Sequence, residues 1–223
     1  MNDYLETLQT EFEKHADPKI ASKQKAYLRD QFEFYGLTTT KRREIQKPFL
    51  VKAYLPEKNE LDFLIKTLWK KPEREYHYFA QELFFKYAKK LAKQDIALIE
   101  YMVTNQSWWD TVDMIATKLL GPYFKKFPGE IAPKVKQWLA TKNIWLQRCA
   151  ILFQLKYKET LDTDLLESVI HQLLGSKEFF INKSIGWILR EYSRTNPNWV
   201  IDFVEANPDL NNLSRKEALR LIK

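Results

Sequence analysis

Glycine is what this chain conspicuously lacks. Five occur among 223 residues, Gly36, Gly121, Gly129, Gly175 and Gly186, and their spacing leaves no place for G-x-G-x-x-G, G-x-x-x-x-G-K-[ST] or G-x-S-x-G. Dinucleotide-binding, P-loop and serine-hydrolase classes are excluded on that ground. Cys149 is the single cysteine, and the histidines stand at 15, 77 and 171. No spacing matches a Cys/His zinc site or a disulfide framework, so neither metal nor cofactor is expected. Long apolar runs are missing too: none approaches the roughly 20 residues that span a bilayer. The segment Met1-Asn2-Asp3-Tyr4-Leu5-Glu6 has no basic flank and no apolar centre, so a soluble, cytoplasmic protein is expected.

Apolar residues are plentiful, at 45%, enough to bury a full core in one compact domain over 1–223. Lys plus Arg number 36 against 29 Asp plus Glu, a net charge of +7, with an isoelectric point near 9.2. That balance fits an anionic partner, although many basic proteins bind nothing anionic. Long Leu/Lys/Glu/Ala-rich stretches between Pro, Asn and Asp read as helices throughout, with no competing strand pattern. Helix starts are expected at Asp17-Pro18, Pro72, Ser107, Asp162 and Ser214, giving roughly a dozen helices joined by short loops.

A weak internal period accompanies the helices. Steps of 35 residues from Asp113 reach Arg148 and Lys183 forwards and Tyr78 backwards; two positions later Ala80, Ile115, Ala150 and Ile185 are all apolar. One row is polar or amphipathic while its neighbour is core, as stacked helix pairs of the HEAT type require. The fold expected is all-α, a HEAT-like helical solenoid whose concave side forms a basic cleft.

Three segments stand out on this frame. In the helix starting near Lys177, Ile181, Ile185, Ile188 and Tyr192 cluster on one side, and Lys183, Trp187, Arg190 and Arg194 occupy the other. Trp187 is either wedged between helices or an aromatic contact in a basic groove suited to nucleic acid. In Ser107-Trp108-Trp109-Asp110-Thr111-Val112-Asp113, Trp108 aligns with Val112, Ile115 and Leu119 and is assigned to the core. Trp109 lies on the flank, one turn before Asp113. Asp113 either stabilises a cation in a groove or, with Asp110, favours the positive end of the helix dipole. Arg148 sits in a helix apolar nearly all round and needs a partner. Asp113, one repeat earlier, is the natural candidate, and the pair is either structural or shared with a phosphate. Cys149 reads as a core residue. Further cations, Lys41-Arg42-Arg43, Lys156, Lys158, Arg190, Arg194, Arg215-Lys216 and Arg220, are spread along the chain, whereas Lys70-Lys71 and Lys125-Lys126 read as solvated faces.

In these residues the sequence resembles the HEAT-like-repeat DNA glycosylases of bacterial alkylation repair, the AlkD family. The resemblance runs from Phe34-Tyr35-Gly36-Leu37 and Arg42-Arg43 through Pro72-Glu73-Arg74-Glu75, Ser107–Asp113 and Asn143–Arg148. It continues into Ser176–Phe180 and Gly186–Tyr192 and ends near Ser214-Arg215-Lys216-Glu217. It implies excision of N3- and N7-alkylated purines from duplex DNA, with Trp109, Asp113 and Trp187 lining the cleft and Arg148 beside them. Thr40 departs from the family, whose members commonly carry proline there.

Such lesions are cationic and leave readily, so the resemblance implies that Asp113 stabilises an oxocarbenium-like sugar while Trp109 and Trp187 pack against it. Arg148, with Arg43, Lys156, Lys183 and Arg190, would hold phosphates. The family is thought to leave the lesion stacked, which predicts tolerance of bulky adducts. A monomeric enzyme on duplex DNA is the expectation, set against a non-catalytic HEAT-type scaffold binding nucleic acid or an acidic protein. A carboxylate at the centre of a phosphate-binding groove favours the enzyme. RNA binding has no RNP-like or KH-like signature behind it.

Overall fold

The computed structural model describes residues 2–222. The chain divides into two compact units, Met1–Lys90 and Leu91–Lys223. Among the described residues the regular structure is helical, and the nearest thing to a sheet is one parallel bridge between Glu33 and Glu73.

The first unit holds α1 (Asn2–Lys14), α2 (Pro18–Tyr27), α3 (Thr39–Gln46), α4 (Leu61–Trp69) and α5 (Arg74–Phe85). Asp17 caps α2 as expected, its carboxylate accepting from the Lys19 and Ile20 amides with Pro18 at the first helical position. The start expected at Pro72 falls at Arg74 instead, because the Arg74 amide bonds back to the Glu33 carbonyl at 2.8 Å and Glu73 is held extended.

The second unit holds α6 (Asp95–Thr104), α7 (Trp109–Ile115), α8 (Gly121–Lys126), α9 (Ile131–Ala140), α10 (Ile144–Leu152), α11 (Thr163–Leu173), α12 (Phe179–Tyr192), α13 (Pro197–Ala206) and α14 (Asn212–Ala218). Within this unit α7 packs on α10, α10 on α12 and α12 on α14. Hydrogen bonds bind successive repeats at the expected step: Arg148 to Asp113 and Lys156 to Glu191 span 35 residues, and Tyr157 to the Gly121 carbonyl spans 36. This is the HEAT-like stacking of helix pairs. The apolar row is buried at each position, Ala80 in the first unit and Ile115, Ala150 and Ile185 in the second. Each large apolar side chain removed from water contributes about 1.5–3 kcal/mol.

Two further helix starts differ from expectation. Ser107 does not cap α7; its hydroxyl donates back to the Val103 carbonyl at 2.6 Å, closing the end of α6, and extended Trp108 precedes α7. Ser214 lies inside α14, which Asn211 caps, and its buried hydroxyl is used between helices. In both cases another carbonyl takes the hydroxyl, one four residues back for Ser107 and one on the neighbouring helix, that of Asn182, for Ser214.

Between α7 and α8 the chain stays helical through a π-turn at Ala116–Leu120. Pro122 explains it: a proline inside a helix lacks the amide that would bond four residues back and crowds that carbonyl, and the wider turn relieves both. The inserted residue lets Leu119, Leu120, Tyr123 and Phe124 all face the core.

Candidate active site

Asp113 lies one turn into α7 and Arg148 at the middle of α10, where the two helices pack. The guanidinium grips the carboxylate with a two-point fork, Nε to Oδ1 at 2.6 Å and Nη2 to Oδ2 at 2.9 Å. Its remaining Nη1 donates to the Phe180 carbonyl at the start of α12. Arg148 thus ties three consecutive repeats together, and its side chain is 4% exposed against 13% for Asp113. Fixed at both oxygens, the carboxylate has one orientation.

Burial pushes the Asp113 carboxyl above the ordinary aspartate range; the Arg148 hydrogen bonds and charge pull it back, and Asp110 adds to the rise. The carbonyl of Asp113 accepts the Thr117 hydroxyl at 2.8 Å, inside the π-turn. Trp109, half-buried, opens α7 one turn before Asp113. Trp187, also half-buried, lies on α12, opposite the buried stripe of Ile181, Ile185, Ile188 and Tyr192.

Trp108 is a correction. Assigned to the core, it is only half-buried, and its ring joins Trp145 at 5.8 Å and Phe180 at 5.2 Å. Trp145 and Phe180 stand 5.0 Å apart, so an aromatic cluster covers the N-terminal ends of α7, α10 and α12. Extended backbone at residue 108 takes the ring out of the helical register on which its core assignment relied. Cys149 is fully buried beside Arg148, and burial raises its thiol well above the ordinary range.

Four of the other candidate cations each meet an acid. Lys156 pairs with Glu191 at 2.7 Å, Lys183 with Glu217 at 2.8 Å and Arg190 with the same Glu217. In the first unit Arg43 lies 3.2 Å from Glu82, which Arg42 also engages at 3.0 Å. Sequence reasoning named these cations but missed Glu82, Glu191 and Glu217. A step of 35 from Lys156 reaches Glu191, so the period itself held one of them. Among the described residues no group of three or more His, Cys, Asp or Glu side chains is placed to hold a metal, and no helix is long and apolar enough to cross a membrane.

The chain is thus a stack of helical repeats in which a carboxylate of one repeat is held by a guanidinium of the next. The family model described as DNA alkylation repair enzyme matches residues 8–222, and the chain belongs to that family. A solved structure described as "Predicted DNA alkylation repair enzyme from Enterococcus faecalis" superposes with a TM-score of 0.86 at 31% identity, covering 93% of this chain and 96% of that one. Among curated proteins, none matches the chain.

Proposed function

We propose that this protein is a monofunctional DNA glycosylase that hydrolyses the N-glycosidic bond of cationic N3- and N7-alkylated purines in duplex DNA, acting as a cytoplasmic monomer with 1–223 as one functional domain. The observation that carries the reading is the Asp113 carboxylate, buried and held at both oxygens by Arg148, one turn from Trp109.

The chemistry needs little beyond such a group. The C1′–N bond breaks with its electron pair passing to the purine, which leaves neutral; positive charge develops on the sugar, and water adds at C1′ and loses a proton. A carboxylate with fixed orientation stabilises that charge without reorganising. Trp109 and Trp187 present negative π faces to the same cation. Arg148 uses three of its five donors on Asp113 and the Phe180 carbonyl and is buried, so its part in this reading is to orient the carboxylate. Arg43, Lys156, Lys183 and Arg190, at least partly exposed, take the phosphates.

The test is single-turnover excision from duplex DNA carrying one N7-methylguanine, read as alkaline cleavage at the abasic site, with affinity and melting temperature measured on the same preparation. Wild type should generate abasic sites, and Asp113→Asn should bind DNA while excising about 10²–10³ more slowly. A wild-type rate from a stably folded Asp113→Asn variant would return the pair to a structural role. No abasic site from the wild-type protein across several cationic lesions would favour a non-catalytic DNA-binding scaffold.

A further inference from the structure

The polar face of α12 is organised around one acid supplied by α14. Glu217 Oε1 accepts from Lys183 Nζ at 2.8 Å, Oε2 accepts from Arg190, and Arg220 Nη1 lies 3.8 Å from Oε1. Lys183 stands four residues before Trp187 and Arg190 three after, which places all three on one face of the helix. The single carboxylate therefore reaches both flanks of the tryptophan.

Backbone packing puts it there. A Cβ at residue 186 would stand 2.6 Å from the Glu217 Cβ and 3.0 Å from the Ser214 carbonyl oxygen, so only glycine lets α14 come this close. The buried Ser214 hydroxyl donates to the Asn182 carbonyl at 2.7 Å and fixes the register of the two helices. Contact occurs at the residue immediately before Trp187.

The charge count sets this cluster apart from an ordinary salt bridge, since one acid faces three cations. Glu217 is 12% exposed, whereas Lys183 and Arg190 are 37% and 23% exposed. The Lys183 hydrogen bond, aided by the charges of Arg190, Lys183 and Arg220, holds the carboxyl below its usual range against the opposing effect of burial, so it is an anion at neutral pH. An ammonium has three donors and a guanidinium five; one contact each to Glu217 leaves donors for phosphate oxygens.

We propose that Glu217 is a positioning residue for DNA binding: it holds Lys183 and Arg190 as a preset cationic bracket around Trp187, against which a sugar-phosphate backbone seats. This rests on the glycosylase reading only for the identity of the ligand. Holding two long side chains before DNA arrives removes an ordering cost from binding. Removing the acid adds net positive charge, but a single charge already surrounded by cations and screened by salt attracts DNA only slightly. The bracket predicts weaker binding by a more positive protein, the reverse of what charge alone predicts.

The experiment measures affinity of the full chain for duplex DNA carrying a tetrahydrofuran abasic-site analogue across a salt series, together with N7-methylguanine excision at saturating DNA and melting temperature. Glu217→Gln should bind roughly tenfold more weakly, with a slope of log affinity against log salt shallower by about one, and should excise more slowly at saturation. Ser214→Ala, which loosens the same helix contact without touching a cation, should lower the melting temperature and leave affinity and salt slope at wild-type values. Should Glu217→Gln fail to fold, Glu217→Asp carries the test: it keeps the charge but is one methylene too short to reach both cations, and a partial loss of affinity is expected. Affinity at or above wild type in a folded Glu217 variant overturns the proposal, as does an equal loss in Ser214→Ala, which would make Glu217 a docking residue for α14. If wild type excises nothing, the glycosylase reading fails while the binding comparison still judges Glu217.

Discussion

Two buried carboxylates, one in each unit, are held in opposite ways. Glu75, on α5, is fully buried and accepts three backbone amides, those of Tyr35 at 3.1 Å, Gly36 at 3.0 Å and Leu37 at 3.1 Å. These belong to a turn that only glycine can make: Gly36 has φ +89°, and a Cβ there would stand 2.0 Å from the Asp17 carbonyl oxygen. Asp113 instead faces a guanidinium from the next repeat and keeps an edge toward solvent beside Trp109. Burial raises both carboxyls. Depth and a shifted acidity therefore do not tell the two apart; the partner does. Neutral amides of one loop use up the charge of Glu75 in clasping that loop. A cation that itself needed a partner fixes Asp113 and leaves its charge facing outward.

The largest expected effect sharpens this contrast at Asp113. Asp113→Asn should lose about 10²–10³ in single-turnover excision, whereas Glu75→Gln should leave the rate of the folded enzyme unchanged. Next comes the fork itself: Arg148→Lys keeps the charge but cannot reach both oxygens and the Phe180 carbonyl, and excision should fall by roughly 10–10²-fold with DNA affinity little altered.

The pH dependence of the rate bears on Asp113 alone. In the proposed mechanism Asp113 acts ionised, and its folded carboxyl is raised, so excision should decline as pH falls through a value above the ordinary aspartate figure of about 3.9. Arg148→Lys, with a weaker opposing pull, should move that limb higher. For stability the signs are fixed by linkage. Raised Glu75 and Asp113 contribute stability that is complete below their unfolded values and lost as pH rises through the folded ones. Glu217, held low, contributes stability present above its unfolded value and lost as pH falls through the folded one. A pH-rate profile and melting curves over the same range check both statements.

Smaller still is Glu75→Gln, whose amide turns a donor toward a backbone donor. It should cost about 1–3 kcal/mol, read as a drop of several degrees in Tm. Cys149 closes the series: its buried thiol should resist alkylating reagents in the folded protein, and excision should be unchanged after treatment, by mass and rate measurement.

Much of the second unit was legible as a pattern. The step of 35 by itself sets Asp113 opposite Arg148, because stacked repeats bring equivalent positions of neighbouring helices into contact. The burial of Ala80, Ile115, Ala150 and Ile185 follows from the same step. Asp17 and Asp162 were legible as caps because capping is settled within four residues. Trp108 was not, since its place was taken from helical periodicity and its backbone is extended. Glu217 escaped too: it lies 34 residues from Lys183 and 27 from Arg190, off the frame, and only the close approach at Gly186 brings it between them.

Repeats and near neighbours account for the helices along the chain, the apolar row, the demand of a buried Arg148 for an acid, and the face of α12 that carries Trp187. Tertiary structure alone decided how that demand is met. The two-point fork on Asp113, the Phe180 carbonyl that takes the third donor, and the carboxylate shared by Lys183 and Arg190 depend on interhelical approaches of a few ångströms. Those approaches are set by glycine contacts and side-chain packing between residues about 30 apart, and a hydrogen bond is made or lost over less than 1 Å.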